Sequence, residues 1–535
     1  MSRCGVILCE CNGAVERRIS LQDLNYFLHQ VAPDLDIVLS NNLCKPRELR
    51  LLLEKSEVYP SVIGACDKIS GQVHFWQDID ADKVNPCFTK LTNILSEIDS
   101  EFSDIEVAAR IKLILGSQIL KAFCCSDLSQ DNIKLCFPPA HGEITRRDLA
   151  TYLLPHHEII PAIIKDDCSG SLCKLCSGFC AAGAILDSDK GLIIDESACN
   201  GCGACVNVCP HGAISYPGYS TAELEREIDG LLTNDTSLPN RILAITCNSW
   251  FNADSMSPKT ISAGMFTIKV PSLTIVSPLL LLHALNAGAD GIVFIQNEAN
   301  CKSHMQGQSL NDTISFVQKL LDRWGIDSNR IGYINKVDSN SSKVHSELCQ
   351  FANKIIALGH TPFKTAAGSM TFEGMYSLAA IIKEMDAKLR LSQEGLISGV
   401  DVPFGIVTID HELCSGCRVC AQTCPTGALT AQISGDSSNL KLMFQHSRCI
   451  ACELCTGICP EKCIESRKVL DFSRLSDIKE TIFENDFVIC RKCSKPYATK
   501  SMIDILKQKL EKAGVFSTEW TEYCPLCRVS IQQKR

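Results

Sequence analysis

Sixteen of the chain's 33 cysteines fall into four short runs with nearly the same internal spacing, and no other feature restricts the fold as strongly. Two runs lie close together: Cys168, Cys173, Cys176, Cys180 and then Cys199, Cys202, Cys205, Cys209. Two lie far downstream: Cys414, Cys417, Cys420, Cys424 and then Cys449, Cys452, Cys455, Cys459. The last three runs read C-x2-C-x2-C-x3-C-P, the spacing that holds cubane [4Fe–4S] clusters. A cubane needs four thiolates converging on one small volume. Two residues between cysteines let a tight loop aim three sulfurs inward, and the fourth comes from the partner run. The expected sets therefore cross. One is Cys168, Cys173, Cys176 and Cys209; another is Cys199, Cys202, Cys205 and Cys180; a third is Cys414, Cys417, Cys420 and Cys459; the fourth is Cys449, Cys452, Cys455 and Cys424. The chemistry such sets imply is the carriage of single electrons.

Residues 161–218 and 401–470 are read as two dicluster modules of bacterial ferredoxin type. Four residues after each fourth cysteine comes a small residue and then an apolar one: Ala184-Ile185, Ala213-Ile214, Ala428-Leu429 and Cys463-Ile464. A small side chain there lets a strand pack beside the cluster, and the apolar one shields it from water. Cys463 stands where the other runs have Ala, and is read as a small hydrophobe, not a ligand. The first run departs twice, with four residues in its first gap and Ala181 in place of Pro. Zinc is the competing metal, but ribbons use two separated C-x2-C pairs and not four evenly stepped cysteines.

A length of 535 residues implies three or more domains, and 45% apolar content supports packed cores in them. The net charge of −9 gives no electrostatic reason to expect nucleic acid or an anionic membrane as partner. The opening Met1-Ser2-Arg3-Cys4 lacks the features of a signal peptide, and the most apolar stretch, 271–289, is interrupted by Ser272, Ser277, His283 and Asn286. No membrane insertion is expected, and the location is read as cytoplasmic. There, many cysteines mean metal ligation or redox work, and an odd number cannot pair completely within the chain.

Residues 1–160 alternate strand and helix: Cys4–Glu10, a helix from Leu21, Asp36–Leu39, a helix from Pro46, and Ser61–Ala65. Short apolar runs joined by amphipathic helices argue for an α/β domain with a parallel sheet. Cys9, Cys11, Cys44 and Cys66 fall at or just beyond the carboxyl ends of these strands, where ligands of parallel sheets gather. They are candidates for a fifth cluster; plain packing is the alternative. The segments Gly5-Val6-Ile7-Leu8-Cys9-Glu10-Cys11-Asn12-Gly13, Asn42-Leu43-Cys44 and Gly64-Ala65-Cys66-Asp67 resemble the amino-terminal domain of the heterodisulfide reductase A-subunit family. The resemblance implies an unusual [4Fe–4S] site on these cysteines. The family continues into an FAD-binding domain that opens on G-x-G-x-x-G; this chain has no such turn, so any flavin is expected on a partner protein.

Residues 240–345 form a second parallel-sheet α/β domain, with strands at Arg241–Thr246 and Gly291–Ile295, helical Leu279–Ala287 between them, and Thr267–Val270 as a third strand of unresolved pairing. The stretch from Leu281 to Val293, LLHALNAGADGIV, resembles the delta subunit of methyl-viologen-reducing hydrogenase, which links hydrogenase to heterodisulfide reductase and carries a [2Fe–2S] cluster. The resemblance puts ligand positions at Cys247 and Cys301, and others at Ser249 or Trp250, Ser272 and Gln296. Two thiolates do not make a Cys4 set. The expectation is a retained fold with a lost cluster, serving as a docking or spacer domain.

Residues 219–239 read as a linker with Glu223–Leu232 helical, and 346–400 as a helical connection carrying Ser377–Leu391. In residues 485–535, Cys490-x2-Cys493 and Cys524-x2-Cys527 form two knuckles around a helix near Ser501–Ala513. Facing each other they make a tetrahedral S4 site, with zinc as first reading and rubredoxin-type iron or a further cluster as alternatives. Cys4, Cys87, Cys124, Cys125, Cys136 and Cys349 are assigned to packing.

The fold class is thus multidomain α/β and α+β. The leading functional reading is an electron-relay subunit with four or five [4Fe–4S] clusters, in a complex of heterodisulfide reductase, hydrogenase or formate dehydrogenase type. Its partners would be redox subunits, one of them flavin-bearing. A catalytic thiol or disulfide reductase working at the amino-terminal cysteines is a second reading, and a scaffold with structural clusters a third. Neither an acid–base constellation nor a flavin motif supports the second.

Overall fold

A computed structural model of the chain describes residues 4–9, 15, 19–40, 61–65, 89–92, 102–124, 133–136, 156–170, 173–189, 191–232, 238, 240–247, 262–297, 307–336, 341–363, 377–392, 394–435, 438–514 and 518–532. It divides into two units, the first of Met1–Cys168 with Cys176–Glu373, the second of Ser169–Leu175 with Gly374–Arg535.

In the first unit, Cys4–Cys9 is a central strand buried along its whole length. Such an unbroken apolar run suits a parallel strand covered on both faces. It pairs in parallel with Asp36–Ser40 on one side and Ser61–Ala65 on the other, and Thr89–Thr92 completes the sheet. The helix Leu21–Val31 starts at Ser20, whose hydroxyl accepts from the Asp23 amide at 3.2 Å. A longer helix, Asp104–Phe123, opens on a capping box between Ser103 and Glu106. It lies against helix Thr221–Leu232 so closely that a Cβ on Gly230 would come 2.4 Å from Ser117 Cα.

That second helix lies within the segment expected to be a linker, and it is packed, not solvated. Glu223, Glu225 and Glu227 are all buried. Glu227 takes an ion pair from Lys121 at 2.5 Å and a hydrogen bond from Gln118 at 3.0 Å. Asp229 accepts from His283 at 2.8 Å. The helix is held by polar groups of its neighbours, which a polar sequence pattern cannot distinguish from exposure.

The second sheet of this unit is parallel throughout, in the order Met265–Val270, Ile242–Cys247, Gly291–Asn297, Ile331–Lys336. The expected third strand is therefore an edge strand beside Ile242–Cys247. Helix Pro278–Asn286 starts on a Ser277 cap with Pro at its first turn. Helices Gly307–Arg323 and Ser341–Leu358 complete the domain. Arg110, on the long amino-terminal helix, donates to the Ala263 carbonyl at 3.0 Å and to that of Met265, with its guanidinium 4.8 Å from the Phe266 ring centre. This one side chain ties the two α/β domains together.

The second unit carries an antiparallel sheet ordered Leu429–Ile433, Asn439–Phe444, Glu480–Ile489, Pro496–Thr499. Its first two strands come from the downstream cysteine-run module and its last two from the C-x2-C module, so the two share one sheet. Thr499 fastens the junction: its hydroxyl donates to the Ser415 carbonyl at 2.5 Å and accepts from the Met502 amide to cap helix Lys500–Lys512. A second antiparallel sheet pairs Ile464–Asp471 with both Leu396–Ser398 and Gly405–Ile409.

Candidate iron–sulfur centres

The cysteine loops share one backbone form. In the second, third and fourth runs, the residue before the second cysteine and the one after it are both left-handed: Gly201 and Gly203, Gly416 and Arg418, Ala451 and Glu453, with φ between 51° and 81°. Each loop then enters a five-residue helix, Ala204–Val208, Val419–Thr423 or Leu454–Ile458, which carries the third cysteine. Lys174, after Cys173, is left-handed too. A left-handed turn costs a non-glycine residue about 1–2 kcal/mol. Four non-glycines accept it here because the turn rotates amides toward the sulfurs, as in anion-binding nests.

In the second unit two cavities each take cysteines from both runs. One cavity is lined by Cys414, Cys417, Cys420 and Cys459, with Cys463 and Ile464. Another is lined by Cys424, Cys449, Cys452 and Cys455, with Ala428 and Phe444. Burial and then the thiols of Cys414, Cys417 and Cys455 push Cys420 up to about 12. Burial, with Cys424, Cys455 and Cys452 adding to it, takes Cys449 to about 12 as well. Four thiols so placed cannot all ionise around nothing; they can around a cationic core, and the donor set fits an iron–sulfur cluster.

In the first unit, Cys176 and Cys205 sit in a core with Ile185, Leu192 and Ile214, and Cys168, Cys180 and Cys209 pack against it. Burial raises the Cys205 thiol, and Cys199, Cys202, Cys176 and Cys180 raise it further. Cys209 feels Cys168. Cys173, the remaining member of the first expected set, falls in the segment of the second unit. Amide hydrogen bonds reach cysteine sulfurs in both units, among them Ala184 to Cys180 at 3.3 Å, Gly201 to Cys199 at 3.4 Å and, in the second unit, Leu429 to Cys424 at 3.4 Å.

Of the four amino-terminal candidates, Cys9 is wholly buried at the end of the central strand; Cys11, Cys44 and Cys66 lie outside the described residues. In the second α/β domain, Cys247 ends its strand, buried, and the register sets it beside Val270 and next to the Thr246–Ile295 pair. Ser272 and Gln296 therefore lie at the same carboxyl edge. Ser272 Oγ is 2.9 Å from Thr274 Oγ1, and Gln296 accepts from the Tyr333 hydroxyl. These described positions carry one thiol among oxygen and amide groups and do not fit a Cys4 cluster. Ser249, Trp250 and Cys301 lie outside the described residues.

The same edge carries a seam that the sequence did not disclose. The short turn Leu273–Ile275 rests on the Cys199–Cys205 loop, where Thr274 donates to the Cys202 carbonyl and Tyr216 to that of Gly201 at 2.7 Å. Only the left-handed Gly203 leaves room, because a Cβ there would meet Ile275 Cγ2 at 2.8 Å.

The C-x2-C knuckles meet as expected. The sulfurs of Cys490, Cys493, Cys524 and Cys527 all lie within 4.8 Å of one another, and those of Cys493 and Cys524 are 3.8 Å apart. Although burial opposes it, amides of Cys524, Cys493 and Lys492 draw Cys490 down to about 6, while burial and the neighbouring thiols push Cys527 to about 12.

Residues 192–215 and 407–430 each match the family described as a 4Fe-4S binding domain. Those ranges hold Cys199 to Cys209 and Cys414 to Cys424, the loops whose geometry is described above. This is an iron–sulfur protein. Residues 242–359 match the delta subunit of methyl-viologen-reducing hydrogenase, over a range that takes in the second parallel sheet and extends through helix Ser341–Leu358. The chain is also similar to the A-subunit of the ferredoxin:CoB-CoM heterodisulfide reductase of Methanosarcina acetivorans, 28% identical over 166 residues. That likeness covers 30% of this chain and 20% of the relative, so the match spans about a fifth of the relative's length. Both resemblances read from the sequence are borne out. Among the described residues no helix is long and apolar enough to cross a membrane.

Proposed function

We propose that this chain is the electron-relay subunit of a redox complex of heterodisulfide reductase, hydrogenase or formate dehydrogenase type. The observation that carries the reading is the pair of cavities in the second unit, each lined by three cysteines of one run and the last cysteine of the other. Bound there, [4Fe–4S] clusters supply one-electron redox chemistry; the protein spaces and shields them, and its hydrogen bonds to sulfur tune their potentials. The likeness of the first module to the second supports two more clusters, on Cys168, Cys173, Cys176 and Cys209 and on Cys199, Cys202, Cys205 and Cys180. A fifth is proposed at Cys9, Cys11, Cys44 and Cys66.

The hydrogenase-delta-like domain serves as a docking or spacer domain without a cluster of its own, which the groups at the edge beside Cys247 support. Partners are redox subunits, with flavin on one of them, and the location is cytoplasmic. The carboxyl-terminal site takes one zinc ion. Around a single ion with Zn–S bonds of about 2.3 Å, tetrahedral sulfurs stand about 3.8 Å apart. The Cys493–Cys524 separation agrees with this, whereas a cubane, which gives each sulfur its own iron, would spread the four further.

The test is reduction of the anaerobically purified chain by dithionite, followed by mixing with an oxidised flavoprotein partner from the same source. The relay reading expects the visible absorption to bleach on reduction and return as the flavin is reduced. Absorption unmoved by dithionite would leave only a structural role for the clusters.

A further inference from the structure

The cavity lined by Cys414, Cys417, Cys420 and Cys459 contains a fifth thiol. Cys463 Sγ lies 3.5 Å from Cys459 Sγ and lines the same cavity, and the residue is buried. The backbone brings it there: Lys462, left-handed at φ 51°, donates its amide to the Cys459 carbonyl at 3.2 Å and folds the chain back so that Cys463 stands over Cys459. At the matching place of the other three runs stands Ala184, Ala213 or Ala428, which offers a methyl group and an amide but no second sulfur.

We propose that Cys463 is an alternative fourth ligand, so that the site of Cys414, Cys417 and Cys420 can be completed by either Cys459 or Cys463. Two sulfurs 3.5 Å apart on one turn can each reach the same iron with a small side-chain rotation. In the exchange one iron–sulfur bond to Cys459 breaks as one to Cys463 forms, and the thiol proton passes from Cys463 to Cys459. Nothing is oxidised or reduced. The site would then hold its cluster through damage to one ligand, which the three alanine-bearing sites cannot do.

This inference rests on the cluster reading of the cavities, and the experiment separates the two. The full chain is purified anaerobically as wild type, Cys459→Ala, Cys463→Ala, Cys459→Ala/Cys463→Ala, and Cys424→Ala, the last removing the corresponding cysteine of the neighbouring site, which has Ala428 beside it. Iron and the electron paramagnetic resonance spectrum of the dithionite-reduced protein are measured. The expectation is that Cys459→Ala and Cys463→Ala keep the wild-type iron, while the double variant and Cys424→Ala each lose about four irons, one cubane. A Cys459→Ala protein that loses as much iron as Cys424→Ala overturns the inference and leaves the cluster reading standing; a wild type without [4Fe–4S] signals overturns the cluster reading itself. Should Cys459→Ala not fold, Cys424→Ala/Ala428→Cys decides the matter. Recovery of about four irons relative to Cys424→Ala supports an alternative ligand at this position of the turn, and no recovery contradicts it.

Discussion

The hydroxyl of Thr274 donates to the carbonyl of Cys202, so the turn at the edge of the hydrogenase-delta-like sheet is bonded directly to a cysteine loop of the first ferredoxin module. Ser272, at a position where the resemblance expects a cluster ligand, caps that turn. The edge where the resemblance expects a cluster supports, in this chain, the loop of another module.

Gly203 is the residue that permits this seam, and Gly203→Ala brings a Cβ to 2.8 Å from Ile275 Cγ2 in a left-handed backbone. The expected cost is about 1–3 kcal/mol, seen as a lower thermal transition of the first unit. The matching Arg418→Gly should raise stability by about 1 kcal/mol, since it removes a left-handed Cβ. Differential scanning calorimetry of the anaerobic proteins distinguishes the two.

Gly405 passes beneath the Cys449–Cys452 loop of its own module in a similar way, for a Cβ there would meet Cys449 Sγ at 2.9 Å and Ala451 Cα at 3.2 Å. Backbone atoms cannot move aside as a flexible side chain can. Gly405→Ala is expected to displace the Cys449 sulfur and lower bound iron by about four per chain. Iron analysis beside the intact protein checks this, and unchanged iron would show that the strand yields.

Lys121 and Glu227 are paired at 2.5 Å with both side chains buried. Removing one partner strands the other charge, so Lys121→Met should cost about 3–5 kcal/mol. Lys121→Met/Glu227→Met should recover much of that loss. Thermal transitions of the single and double variants test the coupling between the helices Asp104–Phe123 and Thr221–Leu232.

His283 is buried, which alone would lower its pKa, but its hydrogen bond to Asp229 and the charges of Asp229 and Glu225 outweigh burial and raise it. A raised histidine contributes stability that is complete below its unfolded value, about 6.5, and is lost as pH climbs through the higher folded value. The first unit should therefore lose stability above about pH 6.5 by a component that is absent from His283→Gln. Transition temperatures of both proteins across neutral pH would show this; parallel curves would contradict it.

What could be read in the sequence was local. The cysteine spacing disclosed the form of each loop, because its turn and five-residue helix are built within a single run. Strand Ser61–Ala65 appears with the bounds its apolar run suggested. The helix expected at Ser377–Leu391 ends three residues earlier, at Lys388. Long-range pairings were hidden. In strand Glu480–Ile489, which leads into Cys490, the outer half is set by pairing with Asn439–Phe444 and not by its own pattern. The turn at Thr274 and the reach of Arg110 to Ala263 depend on distant partners, and neither residue carries a motif. Cys463 was legible as small and buried; its distance from Cys459 was not, since that follows from the left-handed Lys462 between them.

The relay reading stands on four crossed cysteine sets, each proposed to hold a cubane. Iron, acid-labile sulfide and zinc, counted per chain in protein purified without oxygen, test it most directly. About sixteen irons with as many sulfides are expected, rising to about twenty if the amino-terminal cysteines hold a cluster, together with about one zinc. Iron far below sixteen after strictly anaerobic handling, or iron without matching sulfide, would contradict it.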